Sequence, residues 1–137
     1  MKAIRFLDTA DKLKDSTPEA DARTSISRSY YAIIHLVKEK LGQEAIEINR
    51  KQTHLLYNIF HNCNNKDVRA IGSQMSTLHD ARLKADYKLS EKVKKAHAGM
   101  NYRLACKAKE AITSLFEGDD KKDIVEQARK FLRTEPN

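Results

Sequence analysis

Tryptophan is missing from the chain, cysteine and proline occur twice each, and glycine occurs four times in 137 residues. So few chain breakers exclude an all-β fold, which needs frequent turns, and favour helices over disorder. Cys63 and Cys106 lie far apart and neither belongs to a CxxC pair. That spacing argues against a disulfide framework or a thiolate metal site, and predicts two buried thiols instead. Long apolar runs are also lacking. The opening MKAIRFLDTADKLKD carries acids early, so it reads as neither a signal peptide nor a membrane span, and a cytoplasmic protein with no membrane partner is expected. No glycine-rich phosphate loop occurs, which argues against a self-contained kinase or nucleoside triphosphatase. His54 and His61 share a helix face, but no Glu-x-x-His pair or compact carboxylate cluster joins them. A di-iron or zinc bundle is therefore not expected, and neither a metal nor a cofactor is assigned.

What the chain has is charge. Twenty-six Lys and Arg residues against 19 Asp and Glu give a formal net charge of +7. Such a balance suits a partner carrying negative charge, with RNA, DNA or an acidic protein as candidates, although a solvated lysine-rich helix face produces it too. The length fits one ordinary domain.

Hydrophobic periodicity divides the chain into helices. Ala3, Leu7, Ala10 and Leu13 predict a first helix over about residues 2 to 14. Thr17 and Pro18 read as a start signal, with the hydroxyl as cap and the proline in the first turn. A long second helix follows to Leu41, with Ala22, Ile26, Tyr30, Ile33, Val37 and Leu41 as its apolar stripe, Ile34 beside it, and Gly42 placed to stop it. Residues 43 to 52 form a polar connector, and Thr53 to His61 a short helix. After the turn at Asn64-Asn65-Lys66, the residues Val68, Ile71, Met75 and Leu78, with Leu83 as a further candidate, predict a helix to about Lys88. Ser90 is expected to cap the next helix. Its stripe is Val93, Ala96, Met100, Leu104, Ala108, Ala111 and Leu115, and Gly118 ends it. A last helix surrounds Ile124, Ala128, Phe131 and Leu132. The expected architecture is all-α: an antiparallel bundle of four main helices with one or two short extra helices, covering 1–118, and a C-terminal helix at 119–137 packed on or extending it.

One face of the second helix is polar. A seven-residue step turns a helix through almost two full rotations, so Arg28 and His35 point the same way about 10 Å apart along the axis. Thr24 and Tyr31 share that face, away from the apolar stripe. Arginine stays cationic and suits a phosphate, while histidine titrates near neutrality and suits proton transfer. Read from the residues alone, the alternative is structural: Arg28 in an internal salt bridge with Asp80 or Asp86, and His35 hydrogen-bonded inside a bundle.

The same residues carry a resemblance. TSISRSYYAIIHLVKEKLG resembles the second helix of the HEPN domains (higher eukaryotes and prokaryotes nucleotide-binding), in particular the small stand-alone prokaryotic kind. THLLYNIF, from Thr53, resembles the family's short third helix, and LHDARLKADY, Leu78 to Tyr87, its arginine and Ala-Asp-Tyr signature; the likeness spans residues 4 to 117. It implies a helical bundle that often dimerises and, in many members, a metal-independent endoribonuclease built on an Arg and a His. Arg28 and His35, with six residues between them, match the wide end of the family's spacing. Ser29 stands where active members commonly carry Asn, Asp or His.

By this resemblance Arg28 and His35 are the catalytic candidates, and Tyr31, Ser29 and Arg82 the substrate-binding ones. Tyr31 is also a candidate modification site, able to accept a nucleotidyl group from a partner enzyme. Members of this kind are often paired with a nucleotidyltransferase in toxin-antitoxin or defence modules, some as non-catalytic docking subunits. RNA, a nucleotidyltransferase-type antitoxin and a second copy of the chain are thus the implied partners. Asp86 and Tyr87 match the signature but suit capping and packing. Arg82 either lines the cleft or simply pairs with Asp86 one turn on. Lys92, Lys94, Lys95, Arg103, Lys107 and Lys109, with Lys84 and Lys88, make the fifth helix basic, yet they surround it rather than forming one stripe.

Overall fold

A computed structural model describes residues 1–42 and 56–134, and only the backbone of 131–134. The described residues form six helices and no strand: α1 (Ile4–Leu13), α2 (Glu19–Leu41), α3 (Tyr57–His61), α4 (Lys66–Tyr87), α5 (Lys95–Phe116) and α6 (Lys121–Thr134). Among them no helix is long and apolar enough to cross a membrane. The connector expected at 43–52 and the start of the short helix at Thr53 lie outside the described residues.

α2 is the central element, packing against α1, α4 and α5, while α4 also packs on α3 and α5, and α3 on α6. Its whole apolar stripe is buried as the periodicity predicts, from Ala22 and Ile26 through Tyr30, Ile33, Ile34 and Val37 to Leu41. Each fully buried side chain of this size contributes about 1.5–3 kcal/mol. Gly42 ends the helix at a φ of 60°, where a side chain would be strained, and its N–H donates to Lys38 O. On α4 the predicted stripe Val68, Ile71, Met75 and Leu78 is likewise buried. Ile124 and Ala128 of α6 join the same core as α2 and α5, so the C-terminal helix packs on the body of the fold.

Three local expectations are corrected. Thr17 does not cap α2: Pro18 holds the cap position in an extended conformation with no side-chain bond, and Ser16 Oγ donates to Asp21 Oδ2 instead. Ser90 does not cap α5, which starts later, after Lys94, whose N–H is received by His97 Nδ1. Val93 is buried ahead of the helix, in a small cluster with Ala22, Ile26, Ala85 and Ala98.

The third correction is the phase of α5. Its buried face is Ala98, Ala105, Ala108, Ile112 and Phe116, whereas Met100 is 60% exposed. Alanines let α5 approach α2 closely, so the helix turns its small residues inward and leaves the longer Leu104 and Leu115 at the margin. Of the two cysteines, Cys63 is buried, its thiol pushed up to about 12 chiefly by burial; Cys106 is only partly covered.

Candidate functional site

The polar face of α2 meets α1 on one side and the last turns of α4 on the other. Arg28, Tyr31 and His35 are all half-buried there. What joins them is Phe6 of α1. The His35 ring stacks on the Phe6 ring at 5.1 Å with only 9° between the planes, and the Arg28 guanidinium carbon lies 5.3 Å from the same ring centroid. Arg28 is equally close, 5.3 Å, to the Tyr31 ring, which also tilts against His35 at 6.2 Å. The guanidinium is thus held between two aromatic rings, a favourable arrangement for a cation.

Arg82 reaches the same cluster from α4. Its Nη2 donates to Tyr31 Oη at 2.7 Å and to Tyr87 Oη at 3.3 Å, and its guanidinium sits 5.2 Å from the Tyr31 ring and 5.1 Å from that of Tyr87. Arg82 Nε lies 2.8 Å from Asp86 Oδ2, one turn on. The N–H does not point at that oxygen, so this is an ion pair by proximity rather than a hydrogen bond, and Nε has no hydrogen-bond partner. Asp86 also accepts from Ser27 Oγ at 3.3 Å, and Arg28 Nη2 donates a long bond of 3.4 Å to the same hydroxyl. Arg82 therefore does both things the sequence allows: it pairs with Asp86 and it borders the Arg28 cluster.

Charge is left over at Arg28. Asp86 is occupied by Arg82 and Ser27, and among the described residues no carboxylate pairs with Arg28. Its Nε is buried without a hydrogen-bond partner. The internal salt bridge with Asp80 or Asp86 is not formed. Beside it, His35 is held below its ordinary value of 6.5, first by burial, then by the Lys38 ammonium and by Arg28, with Glu39 opposing. At neutral pH the imidazole is therefore uncharged and can accept a proton. It opens on a groove of about 540 Å³ lined also by Met1, Phe6, Lys38 and Glu39.

Ser29 does not belong to this face. It is fully buried, on the side of α2 where Ser25 Oγ donates to Ala10 O of α1 at 2.8 Å. Its hydroxyl has no partner, and contact with a substrate would require the packing around it to open. The substrate-binding expectation for Ser29 is corrected accordingly, because a one-residue step from Arg28 turns the helix by about 100° toward the core.

Two residues that matter were not singled out from the sequence. Phe6 flanks the Ala3, Leu7, Ala10 stripe and so reads as ordinary core. Arg23 reads as one more surface cation, yet it is buried and structural. Its Nη1 donates to Ala85 O at 2.9 Å and Lys84 O at 3.2 Å, closing the end of α4, and its Nη2 donates to Glu91 O. Nε and Nη2 also reach Glu19 Oε2 at 2.9 and 2.8 Å.

Among the described residues no group of three or more His, Cys, Asp or Glu side chains could hold a metal ion. Compared with known families, with curated proteins and with solved structures, the chain matches none.

Proposed function

We propose that this chain is a HEPN-type RNA-binding protein that cleaves RNA without a metal, the toxic half of a toxin-antitoxin or defence module. In this reading it is a cytoplasmic bundle of four main antiparallel helices that pairs with a second copy and is held in check by a nucleotidyltransferase-type partner. The observation that carries the proposal is the pairing of an arginine that has no carboxylate partner among the described residues with an uncharged imidazole on one half-open face, joined by Phe6.

RNA brings its own nucleophile. His35 takes the proton of a 2'-hydroxyl, whose oxygen attacks the adjacent phosphorus while the bond to the 5'-oxygen breaks. The products are a 2',3'-cyclic phosphate and a 5'-hydroxyl, the leaving oxygen taking a proton from water. Arg28 and Arg82 stabilise the charge that builds on the phosphate oxygens. Tyr31, holding Arg82, fixes the distance between the two cations, and its hydroxyl is the acceptor if a partner enzyme transfers a nucleotidyl group.

The test is incubation of the purified chain with RNA in a metal chelator. Cleavage ending in cyclic phosphate is expected, falling by roughly 100-fold or more in His35→Ala, the usual weight of a general base. Cleavage unchanged in that variant removes the assignment.

A second reading is favoured by the exposure of Tyr87 and Leu89, 67% and 73%, beside Arg82. Here the chain is a non-catalytic module whose face docks a nucleotidyltransferase or another subunit. It predicts a stable complex that survives Arg28→Ala but weakens in Tyr87→Ala with Leu89→Ala, and no RNA cleavage.

A further inference from the structure

On the other flank of α1 lies a cavity of about 350 Å³ that the nuclease reading does not use. Its floor is apolar: Ile4 and Leu7 of α1, with Ala32, Ile33 and Leu36 of α2. Leu7, Ala32 and Ile33 are buried at its base, Leu36 is half-buried, and Ile4 stands exposed at its edge. Three lysines stand around the rim, Lys2 before α1, Lys40 at the end of α2 and Lys109 on α5. Among the described residues none of the three ammonium groups forms an ion pair or a hydrogen bond; Lys2 and Lys109 are engaged through their backbone carbonyls, which accept from Arg5 N and Thr113 Oγ1. Among the described residues the one acid on the rim is Glu39, and its Oε1 is engaged by the Ala3 N–H at 2.7 Å.

Three cations from separate segments around an apolar recess form a combination that neither core packing nor helix solvation requires. Lysines that only keep a surface hydrated have no reason to ring a depression, and an apolar depression of this size falls within the range of small-molecule sites. The geometry points to a binding site for a small amphipathic anion, an aliphatic or aryl group seated on Ile4, Leu7, Ile33 and Leu36 with one carboxylate, phosphate or sulfonate held by Lys2, Lys40 and Lys109. A nucleotide fits poorly, because among the described residues the floor offers no aromatic ring to stack a base and no side-chain polar group to read its edges. A neutral hydrocarbon would leave the lysines idle. The site stands independently of the nuclease proposal, since it contains none of Arg28, Tyr31, His35 or Arg82.

The experiment is an NMR titration of the full chain, methyl-labelled at isoleucine and leucine, with octanoate, 1-octanol and acetate as probes. Octanoate should move the methyls of Ile4, Leu7, Ile33 and Leu36 saturably at one site. It should bind about tenfold tighter than 1-octanol, the combined effect of three charge contacts none of which is buried, and lose that advantage at high salt. Acetate should move none of these methyls. The double variant Lys40→Glu, Lys109→Glu, at two half-buried rim positions, should bring octanoate down to the level of 1-octanol and leave 1-octanol unchanged. Ile4→Asp, at a partly exposed position, should weaken both. Vesicles of phosphatidylglycerol should leave the methyls of Leu7 and Ile33 unmoved, because these two are buried below the rim. Equal binding of octanoate and octanol, shifts centred on His35 instead, no saturable shift at all, or vesicle contact through Leu7 and Ile33 would each overturn the assignment.

Discussion

Two arginines five residues apart on α2 should respond in opposite ways to the same substitution. Arg23→Met removes the guanidinium that closes the end of α4 on Lys84 O and Ala85 O and reaches Glu91 O. Hydrogen bonds from a charged donor contribute about 1.5–3 kcal/mol each, and the acceptors left behind are end-of-helix carbonyls that water can partly reach. The pair with the solvent-facing Glu19 adds little. With water recovering about half of the three-bond sum at these helix-end carbonyls, the loss for Arg23→Met is about 3 kcal/mol. Arg28→Met loses two ring contacts of about 0.5–1 kcal/mol each and one long bond to Ser27. Against that, it removes a buried Nε with no partner, a penalty of about 1–3 kcal/mol, and the thioether keeps the packing on Phe6 and Tyr31. Its stability should therefore stay within about 1 kcal/mol of the parent, in either direction. Urea unfolding followed by far-ultraviolet circular dichroism measures both, and thermal midpoints should separate by about 10 °C for a chain of this size. RNA cleavage, assayed well below either midpoint, should vanish in Arg28→Met and survive in Arg23→Met. Equal losses of stability, or a drop beyond 2 kcal/mol in Arg28→Met, would refute the division into a structural and a functional arginine.

His35 titrates below its ordinary 6.5 in the fold, so cleavage should rise with pH to a midpoint under that value and stay flat above it. The same shift makes the fold most stable above pH 6.5, where both states are neutral. Stability then declines as pH falls toward the folded-state value, because the unfolded chain takes up the proton first; imidazole NMR alongside urea unfolding reads both effects, and a midpoint at or above 6.5 contradicts them. Ser29→Ala removes an unpartnered buried hydroxyl and should leave the urea midpoint unchanged or raise it by about 0.5–1 kcal/mol of stability; a loss above 1 kcal/mol would mean the hydroxyl has a partner. Gly72→Ala, by contrast, should destabilise although alanine favours helix by about 1 kcal/mol. Its Cβ would stand 2.3 Å from His61 Cδ2 and 3.0 Å from the His61 backbone nitrogen, and a net loss of about 1–2 kcal/mol in thermal unfolding is expected. A raised midpoint would show that α3 yields freely.

How much of this was legible beforehand depended on how many neighbours a helix has. α2 and α4 bury wide stripes of large residues, so their apolar period fixed which side faces inward, down to Ile26, Tyr30 and Val37 or Ile71, Met75 and Leu78. α5 carries alanine on nearly every side, and a pattern that counts Met100 and Leu104 as core cannot see that close approach to α2 selects Ala98, Ala105 and Ala108. The polar face of α2 was visible because Arg28, Tyr31 and His35 lie at helical spacing. Its second half was not, since Phe6 reaches it from another helix and Ser29 turns away by a single step. Arg23 was silent for a similar reason: its partners are mainly backbone carbonyls distant in the chain, and carbonyls leave no mark in a sequence.

The arginine on α4 has one more use. With no tryptophan, the emission of this protein comes from five tyrosines, and the rings of Tyr30, Tyr31 and Tyr87 all lie within 6 Å of the Arg82 guanidinium. Any phosphodiester that draws Arg82 off the Tyr31 oxygen changes the surroundings of most of the fluorophores at once. Binding at that face is therefore readable by ultraviolet light alone, with no dye attached and no residue replaced.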